Sequence, residues 1–429
     1  MKKIEKILNE VLEKSKPSKE DLEYIENNVK IFSNNIDKNL KKFKIDAEIF
    51  VGGSFAKGTV IKKDNYDVDV FIRYDKKYKN DELFSLTKKI LGDLKNVSVI
   101  HGSRDYFNIN YGNNFFIELV PVKKINNPKE YENITDLSYL HVNYINKKVK
   151  SSKILDEIKI AKAFCYANHC YGAESYISGF SGYSLELLVY YFKGFMNFIK
   201  AMSKVKGEKY IIDIEKQYKN KKNILIDLNS SKLNSPIILI DPTYKQRNAL
   251  AALSQEVFER FKKVCIEFIR NPSIKYFEIK KIDVEKIKED SLKKKKEFVL
   301  IEAKTSKQEG DIAGSKLLKF YNYIEKEISK LFVVKNKGFN YNGKKSARYF
   351  FVAEKKKEIL YSGPFTDDKE NCIKFKREHK NVYENKKRLY AKEKVNLSLK
   401  EFIEKWKTKN KKIINEMYIE DLNLHMPEP

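Results

Sequence analysis

The sequence predicts an α+β chain of several domains, with a sheet-bearing N-terminal part, a helical middle and an α+β C-terminal half. Three observations predict it. The chain has 429 residues, enough for roughly two to four domains. Apolar residues recur at helical spacing through Ile4, Ile7, Leu8 and Val11, and the pattern changes to period two near Ala47. It turns helical again over 154–270, and a new β/α alternation follows.

Ser18 stands before the helical stretch 22–31 as its N-cap. Ala47–Val51 reads as a strand ending in Gly52-Gly53-Ser54, Tyr66–Tyr74 as a second, and 115–122 as a third closed by Pro121. In the middle, 155–166 reads as a helix and 172–182 as a Gly-punctuated loop. The apolar segment 183–199 carries Glu186 and Lys193 and falls short of the roughly 20 clean apolar residues of a membrane span, so it reads as one buried helix. A strand-like run follows at 237–240, then a helical run over 248–261. Beyond it, 297–303 and 349–353 look like strands, and Leu317, Tyr321, Ile324, Ile328 and Leu331 form the apolar stripe of a helix between them. Segments 293–296 and 310–314 read as surface connections, one Lys-rich and one glycine-bounded. The domains expected are therefore 1–149, 150–270 and 271–429.

Charge narrows the function. Lys and Arg number 86 against 59 Asp and Glu, a net charge of +27. That surplus argues against an ordinary small-molecule enzyme and for a polyanionic partner, nucleic acid or an anionic membrane surface. Cys165, Cys170, Cys265 and Cys372 are too few for a disulfide scaffold. Cys165 and Cys170 flank His169, but without a second ligand pair they read as buried thiols rather than a metal site. The first 14 residues form a charged amphipathic helix, unlike a signal peptide. A soluble protein of the reducing cytoplasm, with no membrane association, is expected.

Asp67-Val68-Asp69 lies within an alternating strand, so both carboxylates project to one face while Val68, Val70 and Ile72 pack on the other. Adjacent carboxylates on a half-buried face repel unless a cation sits between them, and hard oxygen ligands of this kind suit Mg²⁺. Glu118, flanked by apolar residues on an expected neighbouring strand, adds a third carboxylate, enough for two metals of the kind that drive phosphoryl or nucleotidyl transfer. Upstream, the Gly53-Ser54 turn brings backbone N–H groups and a hydroxyl toward phosphate oxygens.

Gly-Ser, twelve residues, then Asp-x-Asp resembles the signature of polymerase-β-like nucleotidyltransferases. Lys162, Tyr171-Gly172-Ala173-Glu174, Gly179-Phe180-Ser181-Gly182-Tyr183, Asp241-Pro242 and Arg247-Asn248 then resemble, in order and spacing, the archaeal class I CCA-adding enzymes. The resemblance is strong over 51–261 and weak but collinear beyond. It implies a nucleotidyltransferase palm over 1–149, a helical nucleotide- and base-recognising domain over 150–270, and a tRNA-binding body of RNA-recognition-motif type with a tail over 271–429. It also implies addition of C, C and A to the tRNA 3′ end from CTP and ATP, without a nucleic-acid template. The acceptor stem and TΨC arm would be the parts of tRNA gripped, and a homodimer is compatible with it.

Carried over, Asp67, Asp69 and Glu118 resemble the family's catalytic metal-binding carboxylates, with two Mg²⁺ ions expected. Gly53, Ser54, Lys57, Ser138, His141, Lys162 and Tyr171 resemble its triphosphate and ribose contacts, and Arg247 its base reader. Each has an ordinary reading as well: His141 as a core histidine, Lys162 as a solvated charge, Tyr171 as a core aromatic, Arg247 as an ion-pair partner of Asp241. The chain departs from the family at four points. Glu-x-Asp followed by Asp becomes Asp-x-Asp followed by Glu118, Lys57 replaces an arginine, and Ser178 and Leu137 stand where arginines are expected. Rival readings are another template-independent RNA polymerase of this superfamily (a poly(A) polymerase or 2′-5′ oligoadenylate synthetase) and a non-catalytic RNA-binding protein.

Overall fold

The computed structural model describes residues 2–102, 104–207, 209–279 and 282–425. It divides into two compact units, Met1–Lys280 and Lys281–Pro429.

The first unit opens with α1 (Lys2–Ser15) and α2 (Lys19–Lys42), the latter capped by Ser18, whose hydroxyl accepts from the Asp21 N–H at 3.0 Å. Then come β1 (Ala47–Val51), the short α3 (Gly53–Ala56), β2 (Tyr66–Tyr74), α4 (Asn80–Leu91), β3 (Val97–Ile100), β4 (Tyr106–Gly112) and β5 (Phe115–Lys123). The strands form one mixed sheet in the order β1-β2-β5-β4-β3, in which only β2 and β5 run parallel. Period two decides what faces where. Val68, Val70, Ile72, Ile117 and Leu119 bury against Ile25, Val29, Phe32 and Ile36 of α2 and Leu83 and Ile90 of α4. Fully burying each such side chain stabilises by about 1.5–3 kcal/mol, so this one-sided core fixes the register of β2. The opposite face carries Asp67, Asp69 and Glu118 toward one end and a smaller apolar cluster of Phe71, Val120 and Val122 toward the other.

Pro121 does not close β5 but lies within it, opposite Ile72. The β4 partners reach only as far as Leu119, so the N–H that proline lacks is not needed on that side.

The helical middle comprises α5 (Ser138–Lys148), α6 (Ser152–Ala167), α7 (Gly182–Tyr191), α8 (Phe195–Ser203) and α10 (Gln255–Arg270). Between α8 and α10 lie β6 (Tyr210–Asp213), α9 (Lys221–Asp227), β7 (Ile237–Asp241) and β8 (Tyr244–Asn248), a small sheet in the order β6-β7-β8. Phe164, Phe180, Phe195, Phe198, Phe261 and Phe268 form its aromatic core, and Leu8 and Val11 of α1 join it. The expected single helix over 183–199 is two, α7 and α8. Lys193 and Gly194 break it with φ of 57° and 127°, conformations a continuing helix cannot hold. The expected helical run from residue 248 starts later, at Gln255.

The second unit contains α11 (Val284–Lys293), β9 (Glu297–Thr305), α12 (Asp311–Leu331), β10 (Phe332–Tyr341), β11 (Ser346–Lys355), β12 (Ile359–Phe365), α13 (Lys369–Glu378), β13 (Val382–Asn385), β14 (Arg388–Glu393), α14 (Leu399–Lys409), α15 (Lys411–Glu416) and β15 (Ile419–His425). Its main sheet, β10-β11-β9-β15, is antiparallel throughout, with α12 and α14 sharing its core. Strand, helix, two strands, helix, strand in this spatial order is the split βαβ arrangement of the RNA-recognition motif. A second sheet, β12-β14-β13, is inserted between β11 and α14. The glycine-bounded 310–314 segment is not a surface loop: α12 begins at Asp311, and Gly314 is buried within it. The four cysteines are free and buried.

Candidate active site

The sheet brings the three sequence-selected carboxylates together. Asp69 on β2 is directly opposite Glu118 on β5, and Asp67 is opposite Phe116. Asp67 is exposed, whereas Asp69 and Glu118 are half-buried. Burial and the Asp67 charge push the Asp69 carboxyl up to about 6, against the pull of Lys57 and Lys63. Burial and the charges of Asp69 and Asp67 push Glu118 up to about 8. Lys63 Nζ lies 3.3 Å from Asp67 Oδ1.

The Gly52–Ser54 turn abuts this group. Gly52 N–H donates to the Asp69 carbonyl at 2.8 Å, closing the turn onto β2. Gly53 has φ +61°, and a Cβ there would fall 1.8 Å from Asp69 Oδ2, so only glycine permits this approach. Ser54, Asp67, Lys162 and Tyr171 line one small cleft. Tyr171 is held at its edge by the bridge to Phe180, in which Gly172 N–H donates to the Phe180 carbonyl and Phe180 N–H to the Cys170 carbonyl, both at 2.8 Å.

Lys57 and Lys162 converge on a residue the sequence reading did not select. Glu186, fully buried on α7, accepts from Lys57 Nζ at 2.6 Å and from Lys162 Nζ at 2.8 Å. Burial raises the Glu186 carboxyl, but the Lys162 and Lys57 ammoniums more than offset this and hold it down at about 2. Lys162 is therefore not the solvated face charge that its helix would allow; its side chain is 2% exposed.

His141 and Arg247 converge on a second buried carboxylate. Asp241 Oδ2 lies 3.0 Å from His141 Nε2 and accepts from Arg247 Nη1 at 2.5 Å. Asp241 Oδ1 accepts from the Tyr183 hydroxyl at 3.1 Å and the Thr243 hydroxyl at 2.7 Å. Burial pulls His141 below its ordinary pKa, against the opposing pull of Asp241. Burial raises Asp241, yet His141, Arg247 and Thr243 together hold it well below the carboxylate range. His141 also stacks on Tyr183, ring centroids 4.1 Å apart. Arg247 lies on β8, not at the start of a helix as expected. Ser138 opens α5, three residues before His141 and thus on the same face.

Glu186 had a signal in the sequence. A single carboxylate inside Leu185-Glu186-Leu187-Leu188-Val189 must find a cationic partner once buried.

Among the described residues, no three or more His, Cys, Asp or Glu side chains are drawn close enough to enclose an ion. The Asp67, Asp69 and Glu118 carboxylates are coupled through the field instead, Asp67 raising the proton affinity of Asp69 and both raising that of Glu118. An all-oxygen, like-charged donor set of this kind fits a hard divalent cation.

A mixed sheet with carboxylates on its open face, a Gly-Ser turn beside them and a helical domain behind is the build of a nucleotidyltransferase. Residues 33–160 match the nucleotidyltransferase domain family, and 156–278 match the family described as tRNA nucleotidyltransferase, second domain. The chain belongs to the CCA-adding enzyme family. It is 30% identical over 409 residues to the CCA-adding enzyme of Methanocaldococcus jannaschii, covering 90% of this chain and 87% of that one. It is 43% identical over 213 residues to the CCA-adding enzyme of Nanoarchaeum equitans, a match spanning 49% of this chain and 52% of that one. Among solved structures, a cytoplasmic RNA terminal U-transferase superposes with a TM-score of 0.51 at 12% identity, covering 66% of this chain and all of that one. That likeness shows the fold. Nucleotidyltransferases of this fold generally use divalent metal ions, and one poly(U) polymerase, Cid1, is known with Mg and 3′-dATP bound.

Proposed function

We propose that this chain adds C, C and A to the 3′ end of tRNA from CTP and ATP, releasing pyrophosphate. The observation that carries the reading is the registered pair Asp69 and Glu118, with Asp67 beside them, at the Gly53-Ser54 turn of a chain in the CCA-adding family.

Asp67, Asp69 and Glu118 would hold two divalent cations, with Mg²⁺ the ion of matching hardness, and these supply charge neutralisation at the reacting phosphate when bound. The remaining roles belong to the chain itself. Ser54 and the backbone of the Gly53 turn donate to phosphate oxygens, and Lys57 and Lys162 set positive charge beside the leaving pyrophosphate. Ser138, His141 and Tyr171 contact the ribose and phosphates. Arg247 presents its remaining guanidinium donors to the acceptor edge of cytosine or adenine. Residues 1–149 serve as the palm, 150–270 as the nucleotide-recognising domain and 271–429 as the tRNA-binding body and tail. Duplex RNA is recognised through shape and phosphates, which suits a chain of net charge +27 whose C-terminal unit carries a split βαβ sheet. Cytoplasmic residence fits four free, buried cysteines and, among the described residues, the lack of any helix long and apolar enough to cross a membrane.

The test supplies purified chain and Mg²⁺ with tRNA lacking its 3′ end, first with radiolabelled CTP and then with ATP. Two C followed by one A, and no more, is expected. A homopolymeric tail, or no extension, overturns the reading.

A further inference from the structure

Lys162 has no donor to spare. Its ammonium donates to the Thr59 carbonyl at 3.1 Å, to Thr59 Oγ1 at 2.8 Å and to Glu186 Oε1 at 2.8 Å, which uses all three N–H groups. Thr59 Oγ1 in turn donates to Glu186 Oε1 at 2.7 Å, while Lys57 takes the other carboxylate oxygen, Oε2. Glu186 and Thr59 are fully buried, and the side chains of Lys57 and Lys162 are 8% and 2% exposed. Two lysines thus share one carboxylate from two different parts of the first unit: Lys57 follows the Gly-Ser turn, and Lys162 lies on α6.

Stability is a poor reason for such a cluster. Burying three charges costs desolvation, and packed apolar side chains of similar volume commonly stabilise as well or better. The charge count points elsewhere. Two ammoniums against one carboxylate leave a surplus positive charge; Lys57 exerts its pull on Asp69, and Lys162 lines a cleft with Ser54, Thr59, Asp67 and Tyr171. A buried surplus cation beside a cleft with a Gly-Ser turn calls for a polyanion of more than one phosphate.

We infer that Glu186 is a positioning residue: from α7 it fixes the Lys57 and Lys162 ammoniums, with Thr59 as the cross-brace, so that their surplus charge meets the β- and γ-phosphates of the incoming nucleotide. This rests on the functional reading above, which makes the cleft a nucleoside triphosphate site. Glu186 touches no phosphate itself. Charge held in this way attracts the bound triphosphate and the departing pyrophosphate alike, so its loss acts on binding more than on the chemical step.

Glu186→Gln tests it, because the amide keeps the shape and one acceptor but turns an NH₂ group toward one of the lysines. KM for CTP and ATP should rise about tenfold while kcat stays within about threefold. The affinity for pyrophosphate, measured directly by calorimetric titration in Mg²⁺, should fall by the same factor of about ten, and the affinity for CMP and for tRNA should stay at the wild-type level. Glu186→Asp keeps the charge on a shorter arm and should recover part of the loss. A merely structural role would lower the melting temperature without separating pyrophosphate from CMP. A folded Gln variant that binds pyrophosphate and CTP as the wild type does overturns the inference. If the Gln variant does not fold, Glu186→Asp and Thr59→Val are titrated instead, and unchanged pyrophosphate affinity in both overturns it equally. A wild-type chain that fails to extend tRNA overturns the functional reading; a wild-type chain that extends tRNA beside variants with unaltered pyrophosphate binding overturns the positioning role alone.

Discussion

Asp69 and Glu118 face each other across two parallel strands, and the Asp69 carboxylate raises the proton affinity of Glu118. Like charges in that position oppose folding, so their removal should separate activity from stability. Asp69→Ala is expected to abolish nucleotide addition while tRNA affinity stays within a few-fold, since affinity rests on many dispersed phosphate contacts. The variant should melt no lower than the wild type in metal-free buffer. Near-normal turnover in Mg²⁺ would remove Asp69 from the catalytic group.

Two glycines give a matched pair of tests. Gly53 and Gly58 have φ of +61° and +65°, so alanine strains either backbone alike, by about 1 kcal/mol. The difference lies in what the new methyl meets: Asp69 Oδ2 at 1.8 Å in one case, Leu155 Cδ1 at 3.9 Å in the other. Gly53→Ala should therefore cut kcat by more than a hundredfold, on the order expected for ångström-scale misplacement of a catalytic group, and Gly58→Ala should leave it nearly intact. Equal losses in both would show that backbone strain, not displacement of Asp69, is responsible.

Arg247 and Asp241 separate base reading from anchoring. Arg247 is partly exposed, and its guanidinium keeps donors beyond the one given to Asp241. Arg247→Ala should lower the efficiency of both C and A addition about ten- to a hundredfold and admit some UTP, with modest loss of stability. Asp241→Asn leaves His141, Tyr183, Thr243 and Arg247 competing for a weaker acceptor and should destabilise by about 3 kcal/mol in urea unfolding. An Arg247→Ala enzyme that loses stability but keeps wild-type discrimination against UTP would make the arginine an anchor only.

The Glu186 carboxyl stands at about 2 in the folded chain against an ordinary value of 4.5. A depressed carboxyl contributes stability that is fully present above the unfolded value and disappears as pH falls through the folded one. Between about pH 5 and pH 2.5, wild type should lose roughly 2 kcal/mol more than Glu186→Gln does. Parallel urea midpoints against pH for the two proteins would refute this.

The strand carrying Asp67 and Asp69 is legible because polar and apolar residues alternate strictly from Tyr66 to Val70 and its core-facing residues Val68, Val70 and Ile72 are all apolar. β4 alternates as well, Phe107 and Ile109 buried and Asn108 and Asn110 on the other face, but the low strand propensity of asparagine weakens the signal, so the strand joining β5 to β3 escapes notice. Lys162 and Glu186 show a second limit. Each is a charge on a helix, and only the folded chain reveals that the two compensate one another across 24 residues. Arg247 shows a third: β8 is five residues of mixed polarity, too short for periodicity to distinguish it from the beginning of a helix. Local pattern identifies the face on which charge must sit, while the partners that neutralise it come from elements far apart in sequence.

The four buried cysteines have a practical consequence for following this molecule in solution. Cys165, Cys170 and Cys265 lie in the first unit and Cys372 in the second. Burial raises the first three thiols, Cys170 to about 12 and Cys165 and Cys265 well above their usual value, so the reactive thiolate is scarce until the core opens. Alkylation at each site is then timed by the opening of its own unit. The chain carries an intrinsic pair of clocks, read by mass spectrometry without any introduced label: the rate at Cys372 reports the second unit, and the common rate at the other three reports the unit that carries Asp69 and Glu118.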